Sequence, residues 1–173
     1  TLAITSNALY GWGANDFSQL GNNSNVNLDV PTIIQDNTIW KEVAVAEEAS
    51  LGIKNSMLYG WGFNRNNVIA LVVGEIYGEP TQIGNDSNWD HVYAGKYNAY
   101  GIKSNGDLYS WGWNIYGQSG TGVKSLYTTI QKIGLSEGWT QISAGQTYAL
   151  GSRNGELYAW GNNDFGQLGD GTT

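Results

Sequence analysis

The sequence repeats itself about every fifty residues. The stretch Leu157-Tyr158-Ala159-Trp160-Gly161 has three relatives upstream: Leu9-Tyr10-Gly11-Trp12-Gly13, Leu58-Tyr59-Gly60-Trp61-Gly62 and Leu108-Tyr109-Ser110-Trp111-Gly112. Their Trp-Gly pairs are separated by 49, 50 and 49 residues. A second track keeps the same interval: Trp40-Lys41-Glu42-Val43, Trp89-Asp90-His91-Val92 and Trp139-Thr140-Gln141-Ile142. Two independent tracks with one period point to a propeller or another stacked array, in which no unit can bury its apolar face alone. The 173 residues hold about 3.5 such units.

Each unit reads as four short strands. In the third, Val92-Tyr93-Ala94-Gly95 is small and apolar, suited to a crowded strand near a central axis. Ala99 to Lys103 follows, then the hairpin turn Ser104-Asn105-Gly106-Asp107, with Asn-Gly supplying the positive φ values of a two-residue turn. Leu108 to Trp111 returns antiparallel, a long loop runs to Lys124, and Thr129 to Ile133 is an outer strand. Pro31 and Pro80 head the outer strands of units one and two, where a missing N–H costs little. The expected fold is all-β: propeller blades of four antiparallel strands in a single repeat domain, with units at 1–49, 50–98, 99–148 and an incomplete 149–173. The pattern starts at a second strand and stops before an outer one. It therefore reads as a partial propeller, or as a ring that a second copy completes.

Composition narrows the functional classes. A net charge of −7 with only eight Lys and Arg argues against nucleic acid, which wants clustered cations. The longest apolar run, Val68 to Val73, is strand-sized and far short of a membrane span. Residues 1–6 already lie inside the repeat, so no leader is read in them. With no cysteine there is no disulfide, thiolate metal site or cysteine nucleophile, which suits an exported bacterial protein.

The combination Trp-x-x-Val/Ile-x-Ala-Gly, Leu-Tyr-x-Trp-Gly-x-Asn, Gly-Gln-Leu-Gly and Pro-x-x-Ile resembles the regulator of chromosome condensation repeat family. The resemblance covers the whole chain and is closest at Ala94-Gly95, Ala144-Gly145, Gly117-Gln118-Ser119-Gly120 and Gly166-Gln167-Leu168-Gly169. It implies a propeller, commonly of seven blades, and a role in protein binding. Family members serve as a nucleotide exchange factor, a photoreceptor and secreted inhibitors of β-lactamase. Two departures stand out. The family's histidine before the second strand is here Ala49, Asn98 and Tyr148. Unit two replaces the Gly-Gln-Leu-Gly loop with Asn67-Val68-Ile69-Ala70, so that loop is expected to pack differently.

The leading functional expectation is a non-catalytic protein-interaction scaffold. Trp12, Trp61, Trp111 and Trp160 are expected to pack between blades. Candidate contacts are the loop aromatics Phe17, Trp113, Tyr116 and Phe165, and Tyr97 and Tyr148 in the turns between first and second strands. Trp113 stands out because the other units carry Ala14, Phe63 and Asn162 there. Aromatics on loops of a rigid scaffold are the usual anchors of interfaces. Glu47 and Glu48 form an acidic turn that could meet a basic partner. His91 is the sole histidine and assembles no triad or metal set with any support; no cofactor is expected. Two rival readings remain open: a small-molecule or enzyme site in the channel, using Glu47, Glu48, Lys96 and Gln146, and a structural repeat that self-assembles. A bacterial surface or extracellular location is expected over the cytoplasm.

Overall fold

The computed structural model describes residues 1–134 and 137–173. Among them are fourteen β-strands and no helix, arranged as four antiparallel sheets. Sheet one holds β1 (Leu2–Ile4), β2 (Ala8–Gly13) and β3 (Leu28–Asp36). Sheet two holds β4 (Glu42–Val45), β5 (Ala49–Lys54), β6 (Met57–Phe63) and β7 (Ile76–Ile83). Sheet three holds β8 (Trp89–Ala94), β9 (Asn98–Lys103), β10 (Leu108–Asn114) and β11 (Ser125–Lys132). Sheet four holds β12 (Trp139–Ala144), β13 (Tyr148–Arg153) and β14 (Glu156–Gly161). Each is a simple meander, and the innermost strands β4, β8 and β12 pack on one another in turn. This is part of a β-propeller. The outer strands β3 and β7 are sheet edges, but Pro31 and Pro80 lie inside them rather than at their heads, at the register shifts opposite Gly11–Gly13 and Gly60–Gly62, where a missing N–H is tolerated. Each four-stranded sheet takes its first strand from the end of the preceding sequence unit.

The two tryptophan tracks have distinct jobs. Trp61, Trp111 and Trp160 lock each sheet to the one before it. Their indole N–H groups donate to backbone carbonyls of the preceding loop: Gln19 O at 3.1 Å, Val68 O at 2.7 Å and Gln118 O at 2.9 Å. Trp61 and Trp111 are wholly buried, at 0% exposure. A buried indole must find an acceptor, so each ring fixes both spacing and rotation between sheets. The second track covers its own sheet. Trp40 packs on Tyr59 and Trp61, Trp89 on Tyr109 and Trp111, and Trp139 on Tyr158 and Trp160, with centroids 5.3–6.1 Å apart. Gly52, Gly101 and Gly151 lie under these rings. A Cβ there would come within 2.7, 2.5 and 2.7 Å of Trp40, Trp89 and Trp139, which is why the second strands carry glycine. Lys54, Lys103 and Arg153 cap the Trp–Tyr pairs from above as cation–π contacts.

The hairpins correct one expectation. Asn154-Gly155 (φ 50 and 81) and Asn55-Ser56 (φ 53 and 58) are two-residue turns with both residues left-handed. Ser104-Asn105-Gly106 is instead a three-residue loop. The Gly106 N–H donates to Lys103 O at 2.8 Å, the Lys103 N–H donates to Asp107 O at 3.0 Å, and of the Asn-Gly pair only Gly106 has positive φ.

The unit-two loop corrects another. Asn15, Asn64, Asn114 and Asn163 each accept, through Oδ1, the N–H of the residue five positions on, at 2.9 Å in all four. Their Nδ2 groups reach across to carbonyls further along the loop, such as Val26, Val72, Val123 and Thr172. The asparagine therefore frames the loop whatever residues fill it. Ile69 takes the buried place of Leu20, and Asn67 (φ 59) and Ala70 (φ 56) adopt the left-handed backbone held by Gly117 and Gly120 in sheet three. The changed sequence keeps the same loop.

Candidate functional site

In an antiparallel meander, the turn between first and second strands and the loop between third and fourth strands lie at one end. That end carries most of the candidate residues. Tyr97, in the β8–β9 turn, meets the edge of Trp113 at 5.5 Å and 90°. Trp113, near the end of β10, meets Tyr116 at 5.6 Å and 81°. The edge-to-face geometry places the positive rim of one ring on the negative face of the next. The backbone holds the group: the Trp113 N–H donates to Tyr97 O at 2.9 Å. Tyr116 remains 37% exposed. Three residues expected separately as contacts thus form one aromatic cluster.

A second cluster sits one seam away. Phe17, from the loop of sheet one, stacks on Phe63 of sheet two at 5.5 Å and 17°. The Arg65 guanidinium lies 5.1 Å from the Phe63 centroid and 6.0 Å from that of Phe17. Glu48 lies 3.4 Å from the guanidinium. Phe63 and Arg65 were missed as site residues. Their only sequence signal is that Phe17 and Phe63 belong to adjacent units, and that matters only once the units stack.

The remaining candidates separate. Glu47 pairs with Lys96 at 2.9 Å. Hydrogen bonding to Lys96 holds its carboxyl below the usual range, and Tyr97 and Glu47 raise the Lys96 ammonium. Lys96 Nζ also lies 4.9 Å over the Tyr97 ring. Glu47, Lys96 and Gln146 line an open cleft of about 430 Å³ with Ala94, Gly95 and Ala144. Glu48 is drawn away to Arg65. Tyr148 is not in a turn: it opens β13 opposite Gly161, and its ring lies where a Cβ on Gly145 would be, 2.7 Å from Cε1. Phe165 stands apart, 90% exposed. His91 lies 3.4 Å from Glu42 and 3.2 Å from Asp90, away from the aromatic end. Among the described residues no group of three or more His, Asp or Glu side chains is placed to hold a metal ion, and no helix is long and apolar enough to cross a membrane.

Successive sheets latched by tryptophan, with aromatic loops gathered at one end, define a β-propeller repeat protein. The chain belongs to the regulator of chromosome condensation (RCC1) repeat family. The RCC1 repeat model matches residues 6–53, 105–151 and 154–173, and a second RCC1 repeat model matches 89–118. No curated protein matches the sequence. Among solved structures, human WBSCR16 is similar at 23% identity and a TM-score of 0.83, covering 99% of this chain and 48% of that one. The structure of Prp20p from Saccharomyces cerevisiae, described with its binding to Gsp1p and histones, matches at 22% identity and TM-score 0.81, covering 97% and 44%. That of Kap60 bound to yeast RCC1 (Prp20) matches at 20% and 0.80, covering 97% and 43%. The chain thus spans a little under half the length of these solved chains.

Proposed function

We propose that this protein is a non-catalytic scaffold that binds a protein partner through the loop end of its propeller. The observation that carries this reading is the Tyr97–Trp113–Tyr116 cluster on a rigid frame. Rings already ordered by backbone and neighbours lose little entropy on binding, so their burial contributes fully to affinity. The solved relatives support it: yeast RCC1 (Prp20) is seen bound by Kap60, and Prp20p is described with its binding to Gsp1p and histones. The location expected from composition, outside a bacterial cell, belongs to this reading and rests on composition alone. Capture of a partner from the source cell's extract, by the protein and by Trp113→Ala, tests it. Loss of a hot-spot ring is expected to weaken capture by about 2 kcal/mol or more. Undiminished capture by the variant removes this face from the reading.

A second reading, association of two copies, has its own observation. Leu157 on β14 is 74% exposed, whereas its counterparts Leu9, Leu58 and Leu108 are at 0% beneath a neighbouring strand. Within these 173 residues that edge is open to pairing, whether with a second copy or with further blades such as the longer solved relatives have.

A further inference from the structure

We infer that the loop of sheet two, at the same end of the molecule, docks its apolar tip on a partner segment with an apolar stripe edged by lysine or arginine. The inference rests on the protein-binding reading above and adds the partner's chemistry.

This loop changes its sequence without changing its backbone. After the left-handed residue of the frame, the other loops continue Asn22-Asn23-Ser24, Thr121-Gly122-Val123 and Asp170-Gly171-Thr172, whereas this one continues Leu71-Val72-Val73. Leu71 packs on the core, as Val68 and Ile69 do. Val72 and Val73 do not: they are 65% and 46% exposed, and Ile76, at the start of β7, is 52% exposed. The frame does not call for apolar side chains here, since largely polar ones serve it in the other loops. A contiguous apolar tip rimmed by polar groups marks a contact surface.

The tip is also held still. The Val72 N–H donates to the Tyr77 hydroxyl at 3.0 Å, and Val72 O accepts from Asn64 Nδ2 at 3.1 Å. The Gly74 N–H donates to Asn64 O and the Asn64 N–H to Glu75 O, both at 2.9 Å. Branched at Cβ, the two valines have little rotamer freedom to lose. Docking a tip that is already ordered costs little entropy.

Charge gives the occupant its sign. Glu75 closes the loop and Glu79 follows on β7; both are exposed, and neither forms an ion pair among the described residues. Arg65, from the same loop, is already held by Glu48. Val72, Val73, Glu75, Ile76 and Glu79 lie in one short stretch of one sheet, so the chain itself brings them together. An amphipathic segment lays its apolar stripe on the valines and Ile76, and its flanking cations meet the two carboxylates. A segment flanked by glutamate would meet repulsion at the same place.

The test uses a capped helical peptide of leucine and lysine with one apolar stripe. A second peptide has glutamate for lysine, and a third keeps the first composition with the stripe scrambled. The readouts are the NMR methyl signals of Val72, Val73 and Ile76, with the Trp113 indole recorded alongside. The striped lysine peptide is expected to shift the methyl signals and saturate, and to bind about tenfold more tightly than either counterpart. Two variants at exposed positions, whose melting temperatures serve as folding controls, probe the tip. Val72→Ser combined with Val73→Ser is expected to weaken the peptide by about tenfold. Glu75→Gln is expected to weaken it by about threefold and to reduce its salt dependence. No binding, equal binding of the three peptides, shifts confined to the Trp113 indole, or affinity unchanged in either variant overturns the inference. A partner whose capture needs Trp113 yet ignores the serine substitutions also overturns it, while leaving the scaffold reading standing. Capture that ignores Trp113→Ala and the serine substitutions alike removes that reading as well.

Discussion

At the scale of single residues, Ala70 shows how strongly the loop frame dominates. Asn64 Oδ1 accepts the Ile69 N–H and Asn64 Nδ2 holds Val72 O, so the chain must turn left-handed at the next residue whatever stands there. Glycine fills that place in the other sheets, at Gly21, Gly120 and Gly169. An alanine in this region costs about 1 kcal/mol relative to glycine, from the contact between Cβ and the backbone. At the equivalent Gly21, a Cβ would also come within 2.8 Å of Trp61. Ala70→Gly is therefore expected to raise the stability by about 1 kcal/mol, read as a higher urea midpoint with unchanged slope. A lower midpoint would mean that the left-handed turn is not imposed by the asparagine frame.

At the scale of elements, sheet three is tied at the hairpin end by charge as well as by rings. Asp107, nearly buried beside the β9–β10 loop, lies 2.6 Å from Lys132 at the end of β11. The hydrogen bond from Lys132 holds the carboxyl below its ordinary value of 3.8. A folded value below the unfolded one gives stability that is fully present above about pH 4 and is lost as pH falls through the depressed folded value. Asp107→Asn is expected to flatten the fall in melting temperature between about pH 5 and pH 3, leaving the part due to Glu47 and Asp90, whose carboxyls are lowered by Lys96 and Lys41. An acid limb as steep as in the parent would show that this pair does not set it. The elements themselves were largely legible. Alternation and turn residues located the strands, and the two tryptophan tracks named the rings that hold the sheets. Less legible was whatever depends on the neighbouring unit. Ser104-Asn105-Gly106 reads as a two-residue turn until its pairing is known, and the unit-two loop reads as rebuilt because the asparagine that fixes it is a single letter among many. Likewise Tyr97, Trp113 and Tyr116 were separately visible. Their convergence, and the part of Phe63 and Arg65, follows from which turn stacks on which loop.

At the scale of the whole molecule, stability is a sum over seams, each sheet burying what its neighbour leaves bare. Light scattering on the 173-residue chain tests the second reading. Association of two copies predicts twice 18.8 kDa, with the apparent mass falling on dilution. A folded species that stays at 18.8 kDa at all concentrations would sink it. The tryptophan bonds across the seams also have a direction. The Trp61, Trp111 and Trp160 indoles all point backwards along the chain, each giving its proton to the sheet that came before. Parting any of these seams takes a donor from the later sheet and an acceptor from the earlier one. The array is thus an arrow rather than a symmetric stack: the two faces of a blade are chemically unlike, donor behind and acceptor ahead.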